Sequence, residues 1–173
     1  MRLIGKHISL RAIEPSDIDI LYRWENDVET WNVSNTQTPY SRFVLEQYIA
    51  SAHQDIYSVK QLRLIICDSE GKAIGTIDLF DFDPNHMRAG IGILIADKED
   101  RRQGAASEAL ELLVDYCFNI LNLHQVYSNI TIDNEASVLL FQKHGFQITG
   151  VKKHWVREGE KFKDELLLQR LRS

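Results

Sequence analysis

A loop and a helix start near the middle of the chain carry the residues best suited to hold a phosphate. Residues 101–107 read Arg-Arg-Gln-Gly-Ala-Ala-Ser and follow an apolar segment. The first turn of a helix has N–H groups without partners and a partial positive charge, so it attracts anions. Gly104, Ala105 and Ala106 let a bulky anion approach the backbone, and Arg101 and Arg102 offer charge-assisted hydrogen bonds. The stretch predicts a phosphate or pyrophosphate cradle; a solvated loop before a helix of small residues is the alternative.

Two common nucleotide-binding patterns do not fit this stretch. It lacks the lysine of the GxxxxGK[ST] loop, and its glycine spacing differs from that of GxGxxG. A nucleoside triphosphatase or a dinucleotide-binding fold is therefore not predicted.

The periodicity of the chain predicts α+β architecture around the cradle. The predicted strands cover 8–12, 62–67, 73–82, 89–96, 126–132 and two segments around the turn at 158–159. The predicted helices cover 18–24, a segment starting at Pro39 or Ser41, 105–121 and 135–144. Ser16 is the predicted N-cap of the first helix. The cradle thus lies between the fourth predicted strand and the third predicted helix.

Two helices have predicted apolar faces. For the second helix the face is Phe43, Val44, Tyr48 and Ile49. For the long helix it is Ala109, Leu112, Leu113, Tyr116, Cys117 and Ile120.

Composition narrows the class of protein. The 173 residues suit one domain covering 1–173, and the net charge of −5 argues against nucleic acid as a partner. No apolar run reaches the roughly 18 residues of a membrane span, and charge near the N-terminus argues against a signal peptide. We therefore expect a cytoplasmic protein without membrane contact. Cys67 and Cys117 lie in apolar segments and are expected to be reduced core residues.

The cradle and a second motif together resemble the GNAT acetyltransferase superfamily. Arg101-x-x-Gly104-x-Ala106 matches the family's [Arg/Gln]-x-x-Gly-x-[Gly/Ala] pyrophosphate loop. Downstream, the segments 134–137 (Asn-Glu-Ala-Ser) and 141–146 (Phe-Gln-Lys-His-Gly-Phe) resemble its second signature. The resemblance spans nearly the whole chain and implies a single-domain GNAT fold with a mixed sheet, splayed at its fourth strand and flanked by helices. It also implies acetyl-coenzyme A as cosubstrate.

The resemblance assigns roles to particular residues. Leu94, Ile95 and Ala96 would offer backbone groups to the pantetheine arm. The pyrophosphate would be held by Arg101, Arg102, Gln103, Gly104, Ala105, Ala106 and Ser107. Contacts near the thiol and the nucleotide would come from Asn134, Phe141 and Lys143. Asn134 read alone is a helix N-cap, and the two roles are compatible.

In the family's reaction an amine attacks the thioester directly. Three roles must therefore be assigned: a base for the amine's proton, donors to the oxyanion, and a proton or hydrogen bond for the leaving thiolate. Backbone N–H groups at 93–95 are candidates for the oxyanion. Many relatives use a tyrosine to protonate the thiolate, but this chain has Phe141 at that position. Ser137 is the substitute candidate, with a helix-start role as the alternative, and Tyr127 is a further phenol whose strand position favours the core.

Carboxylates are the candidates for the base that takes the amine's proton. They are Asp78 and Asp81 on the central hairpin and Glu25 near the end of the first helix; each can equally be a solvated carboxylate. A water relay can replace any single base.

The acceptor is less defined than the donor. The sequence most resembles the spermidine/diamine N-acetyltransferases and the enzymes acting on ribosomal-protein N-termini. A small amine, polyamine or diamine, is the first expectation, and a peptide N-terminus is the alternative. Segment 31–36, which should carry carboxylates for a polyamine, is uncharged. Trp24, Trp31 and Tyr40 are candidates for an acceptor pocket or for ordinary packing.

Three further expectations complete the sequence interpretation. Loss of the tyrosine at 141 leaves open a non-catalytic sensor that binds acetyl-coenzyme A. The histidines are scattered without ligand spacing, so no metal is predicted. Dimers are common among relatives of this kind, so a homo-oligomer is one expectation.

Overall fold

The computed structural model describes residues 3–173; Met1 and Arg2, part of the stretch that argues against a signal peptide, lie outside them. Its strands are β1 (Leu3–Ile4), β2 (Ser9–Ala12), β3 (Leu62–Cys67), β4 (Ala73–Asp83), β5 (Arg88–Ile95), β6 (Gln125–Thr131), β7 (Gln147–Glu158) and β8 (Lys161–Leu171). Its α-helices are α1 (Ile18–Glu25), α2 (Trp31–Ser34), α3 (Arg42–Ser51), α4 (Ile56–Val59), α5 (Ala105–Asn119) and α6 (Glu135–Lys143). Short 3₁₀ turns cover Pro15–Asp17 and Lys98–Asp100.

One mixed sheet organises the fold, in the order β1-β2-β3-β4-β5-β6-β8-β7. Neighbouring strands are antiparallel except β5 and β6, which are parallel and pair only through three residues at their starts. Beyond that point the two strands diverge. The predicted splay at the fourth strand is confirmed, and that strand is β5 because β1 precedes the first predicted strand.

The two faces of the sheet are covered differently. One face packs on α5 and α6 through a large core that includes Ile77, Ile91 and Leu113. On the opposite face α1 packs against the sheet through a smaller cluster around Leu21 and Trp24. Each fully buried Leu or Ile contributes about 1.5–3 kcal/mol by leaving water, so these clusters fix the helices on the sheet.

Three local predictions concern the N-caps of α1 and α3 and the apolar face of α3. Ser16 is not the N-cap, because the Asp17 carboxylate takes the Glu14 N–H at 2.8 Å and Pro15–Asp17 forms a 3₁₀ turn. Ser41 does cap α3, since its side chain accepts the Val44 N–H. The apolar face predicted for α3 is partly wrong, because Phe43 and Val44 are exposed, whereas Ile49 packs against the smaller core cluster as predicted.

The apolar face predicted for α5 is partly wrong. Ala109, Leu113 and Cys117 are buried as predicted, but Ile120 lies just past the helix end and is 52% exposed. Leu110 and Val114, which the prediction omitted, are buried instead. The face that α5 turns to the sheet is therefore rotated from the predicted one toward Leu110 and Val114.

Both cysteines are free and buried. Burial raises the pKa of the Cys117 thiol to about 12, which removes its nucleophilic thiolate form at neutral pH. Among residues 3–173, no helix has the length and apolar character that a membrane crossing needs. The same residues contain no cluster of three or more side chains suited to a metal ion.

Candidate active site

The divergence of β5 and β6 opens a wedge in the middle of the sheet. Their last paired residues are Gly90 and Tyr127. Just beyond, the buried Ser128 hydroxyl donates to the Ile91 carbonyl at 2.9 Å and replaces the lost backbone pairing. The wedge leads into a cleft of about 810 Å³, lined in part by Phe80, Gly92, Ile93, Ser128, Ile130, Asn134, Ser137 and Phe141. A ligand can therefore contact backbone groups normally hidden inside a sheet.

The open edge of β5 exposes alternate backbone groups. Ala96 donates to the Ile74 carbonyl, and the antiparallel register with β4 is regular from there to Gly90. Even-numbered residues of β5 therefore bond to β4, and Ile91, Ile93 and Ile95 direct their backbone groups toward the wedge.

This alternation corrects part of the predicted pantetheine contact. The backbone of Leu94 faces β4, and both backbone groups of Ala96 have protein partners, one of them Arg101. The Ile95 carbonyl also accepts a hydrogen bond from Arg101, so only the N–H of Ile95 is left for a ligand. Ile93, which sequence reasoning considered only for the oxyanion, is the residue with both backbone groups on the open edge.

The cradle is formed by backbone N–H groups at the start of α5. The first bond of the helix runs from the Glu108 N–H to the Gly104 carbonyl. Within residues 3–173, the N–H groups of Gly104, Ala105, Ala106 and Ser107 have no acceptor. Gly104 has φ +83°, and a Cβ built on it meets nothing within 4 Å. Four donors thus surround an open space at the positive end of a 15-residue helix, which suits a pyrophosphate.

The two arginines of the cradle differ in their contacts. Arg101 donates to the Ile95 and Ala96 carbonyls, both at 3.1 Å, so its side chain ties the loop to the end of β5. Arg102 has φ +64°, is exposed, and makes no hydrogen bond or ion pair with any other described residue. Gln103 bonds the Glu99 carbonyl at 2.6 Å. Arg102 is therefore the cation available to a phosphate, and Arg101 positions the loop.

The second motif lies on α6, beside the wedge. Asn134 caps the helix by accepting the Ser137 N–H at 3.3 Å, and both residues line the cleft. Phe141 also lines it, but its ring is 2% exposed and packs edge-on against Phe146, with centroids 4.9 Å apart. Lys143 is exposed at the end of the helix. The cleft wall thus contains Ser137 beside the apolar ring of Phe141, which stands where many relatives have a tyrosine.

A link between the two motifs was not predicted. The Ser107 hydroxyl lies 2.7 Å from Nε2 of His144, which follows α6. Burial lowers the pKa of His144, which favours its neutral form. The Ser107 side chain is therefore engaged in holding α5 against α6, and its N–H remains for a phosphate.

The two main candidate bases are held away from the cleft. Asp78 forms two hydrogen bonds to Arg63, at 2.9 and 2.8 Å, and Glu25 contacts the same guanidinium. Burial by itself would lower the pKa of Arg63, but the two carboxylates outweigh it and raise that pKa. Neither carboxylate lines the cleft. Both therefore neutralise a half-buried cation that joins α1 to the sheet, which does not fit the predicted role of base.

The remaining candidates lie around the cleft rather than in it. Asp81 is exposed in a β-bulge of β4 with φ +48°. Tyr127 packs edge-on against Phe80 where the strands separate, and burial raises the pKa of its phenol. Trp24 belongs to the core, whereas Trp31 lines an outer extension of the cleft of about 480 Å³. Tyr40 lines neither part, so Trp31 alone of the three aromatic candidates faces the cleft.

Sequence reasoning missed a polar group at the floor of the cleft. It consists of Asn129, Lys152, Trp155 and Glu165. Lys152 Nζ lies 2.8 Å from Glu165 and 3.1 Å from the Asn129 side-chain oxygen. The available signal was Glu165, a charged residue directly before the apolar run 166–168 of a strand.

A β-bulge in β7 brings Trp155 to the cleft. The register with β8 shifts between Lys152 and Val156, and His154 within the bulge has φ +50°. Asp164 holds this conformation by accepting the His154 N–H at 2.9 Å. Such bulges redirect side chains, and no strand periodicity reveals them in advance.

Comparison with known proteins places this geometry in a family. Residues 7–147 match the family model described as an acetyltransferase (GNAT) domain. The chain is 27% identical over 158 residues to a spermidine N(1)-acetyltransferase of Vibrio cholerae, which covers 90% of this chain and 86% of that protein.

Solved structures show the same fold. A Vibrio cholerae spermidine N-acetyltransferase in complex with CoA and spermine superposes with a TM-score of 0.86 at 24% identity, covering 95% of each chain. A dodecameric structure of spermidine N-acetyltransferase from the same organism has a TM-score of 0.77 at 24% identity, covering 95% of this chain and 93% of that one.

Proposed function

The chain belongs to the GNAT family and is an acetyl-CoA-dependent N-acetyltransferase, and from that premise we propose that its acceptor is a polyamine or diamine. The observation that carries the proposal is the similarity to a spermidine N(1)-acetyltransferase over most of both chains. A buried carboxylate on the cleft floor, Glu165, gives an alkylammonium a partner inside the site.

The donor suits the cradle and the wedge. The free N–H groups of residues 104–107 and the Arg102 guanidinium would hold the pyrophosphate. From there, the open edge of β5 would bond the pantetheine arm as an added strand, through the Ile93 carbonyl and the Ile95 N–H. The arm would end in the cleft, beside Ser137 and Phe141.

Water and two groups of this chain then serve the transfer. The amine, with an ordinary pKa of about 10, must first lose its proton, and we assign that step to water in the open cleft because Asp78 and Glu25 are held by Arg63. The Ile93 N–H would stabilise the oxyanion that forms when the amine attacks the thioester. The Ser137 hydroxyl would hydrogen-bond the departing thiolate.

A peptide N-terminus remains the alternative acceptor, and one feature favours it. The cleft wall contributed by residues 32–37 offers the neutral amides of Asn32, Asn35 and Gln37 rather than carboxylates. Amides suit a peptide backbone better than they suit a chain of ammonium groups.

The test is CoA release from acetyl-CoA with spermidine, compared with a peptide that begins with Ala or Ser. The matched controls are spermidine acetylated on both primary amines and the peptide with an acetylated N-terminus, because neither has a primary amine at the reactive position. The proposal expects turnover with spermidine and none with its blocked form. Turnover with the peptide alone would replace the polyamine by the N-terminal acceptor.

A further inference from the structure

The side chain of Lys152 ends in the cleft as a bound alkylammonium would. Its Nζ lies 2.8 Å from a Glu165 oxygen, 3.1 Å from the Asn129 oxygen and 5.1 Å from the centre of the Trp155 ring. A carboxylate, an amide oxygen and an indole face are together a recognition set for an ammonium group. The chain thus fills this subsite with its own amine.

The sheet explains how this set is assembled. Glu165 pairs with Lys152 on β7 and with Thr131 on β6, and Asn129 is two residues from Thr131 on the same face. The cleft lies over this part of the sheet. The Glu165 side chain is 12% exposed, whereas the Lys152 side chain is 32% exposed on a flexible stem. The lysine is therefore the partner that can leave.

We propose that Glu165, Asn129 and Trp155 form the ammonium subsite for the acceptor, and that Lys152 occupies it until the acceptor displaces it. The subsite deepens the proposed function and rests on it, because it serves an acceptor with an alkylammonium group. In a diamine or polyamine, one ammonium would bind Glu165 while a second, deprotonated nitrogen attacks the thioester. Lys152 then acts as an internal competitor that selects acceptors able to replace it.

The displacement model makes a prediction that a purely structural ion pair does not. Lys152→Met keeps the stem and removes the competing charge, so the KM for the acceptor should fall by about 3- to 10-fold. Glu165→Gln removes the carboxylate, and the acceptor KM should rise by about 10-fold or more. The double variant should resemble Glu165→Gln, since the competitor has no effect once its site is lost.

The experiment measures steady-state rates with spermidine and with putrescine as a shorter diamine. Lys161→Met is the charge-matched control, because Lys161 is exposed at the start of β8 and lies outside the cleft lining. The KM for acetyl-CoA and the melting temperature are measured for each variant. Trp155→Ala, at a position 62% exposed, gives a second variant whose folding is not at risk, with a higher acceptor KM expected.

The outcomes separate the subsite from the proposed function. A lower acceptor KM for Lys152→Met with an unchanged acetyl-CoA KM supports displacement. An unchanged or higher acceptor KM, in a variant that only melts earlier, overturns it and makes the pair structural. If Lys152→Met does not fold, an unchanged acceptor KM for Trp155→Ala overturns the subsite. Absence of turnover of any diamine by the unaltered chain instead overturns the proposed acceptor.

Discussion

Gly104 is the residue at which the cradle can be tested most cleanly. Its positive φ favours glycine, and any side chain there enters the open space before α5. We expect Gly104→Leu to weaken acetyl-CoA binding at least about 10-fold, because the side chain occupies the pyrophosphate position. Backbone strain should cost about 1–2 kcal/mol of unfolding free energy. Calorimetric titration and chemical denaturation measure the two effects.

Gly71 provides the matched control for that substitution. It has φ +86°, a Cβ there also meets nothing within 4 Å, and it lies in the β3–β4 turn. Gly71→Leu should therefore lose similar stability and bind acetyl-CoA normally. Equal affinity of the two variants would remove the cradle.

Ser137 and Phe141 test how the thiolate leaves. If the Ser137 hydroxyl bonds the leaving sulfur, Ser137→Ala should lower kcat by about 10- to 100-fold with little change in the acetyl-CoA KM. Ser137→Thr, which keeps a hydroxyl, is the control. Adding Phe141→Tyr to Ser137→Ala should restore part of kcat by supplying a phenol. A kcat for Ser137→Ala equal to that of the unaltered chain would rule out this role.

Residue roles were predictable where they depend on local sequence and not where they depend on strand pairing. Gly104 and Asn134 follow from helix-start chemistry, and the structure has both at helix N-caps. Asp78 was predicted to be a base because its ion-pair partner cannot be read from the sequence. Arg63 lies opposite Asp78 only when β3 and β4 pair in register. The group around Lys152 was missed for the same reason, since three strands contribute to it.

At the scale of elements, the contact of Ser107 with His144 joins the two motif helices. The burial of His144 at this contact should make the unfolding free energy depend on pH. Burial lowers the pKa of His144 from its ordinary 6.5, while Glu111 opposes and Lys143 and Arg170 add to that shift. Because the unfolded chain then binds a proton more readily, the unfolding free energy should fall as the pH drops from about 7 toward 5.

The variant His144→Gln isolates the contribution of His144 to the pH dependence of the unfolding free energy. Glutamine retains a polar partner for Ser107 but does not titrate. Denaturant unfolding of both proteins across that pH range should show a shallower decline for the variant. Parallel curves would mean that His144 does not contribute.

The long elements were predictable and the short ones were not. Periodicity predicted β3, β4, β5, α5 and α6 within one or two residues of their observed bounds. The four-residue helices α2 and α4 lack a periodic pattern of usable length. The Asp55 side chain caps α4, whereas α2 has no side-chain cap and is tied to the end of α1 by the Trp31 indole, which donates to the Glu25 carbonyl. One of them, α2, lines the cleft, so the part of the site proposed to receive the acceptor was the least predictable.

At the scale of the whole molecule, the fold aligns the parts of the proposed reaction path. The cradle at the start of α5, the open edge of β5 and the cleft beyond Ser128 follow one another along the divergence of β5 from β6. The homo-oligomer expected from the sequence resemblance stays a prediction. Exposed apolar residues, Phe43 on α3 and Tyr57 on α4, are consistent with such contacts.

Transfer of the acetyl group itself tests the account most directly. The chain is incubated with acetyl-CoA carrying an isotopically labelled acetyl group and an equimolar mixture of spermidine, putrescine and an Ala-initiated peptide, and the labelled products are identified by mass spectrometry. We predict label on a primary nitrogen of a polyamine or diamine, abolished by Gly104→Leu and retained by Gly71→Leu. Label on the peptide alone would contradict the acceptor, and bound acetyl-CoA with no labelled amine would contradict the transfer.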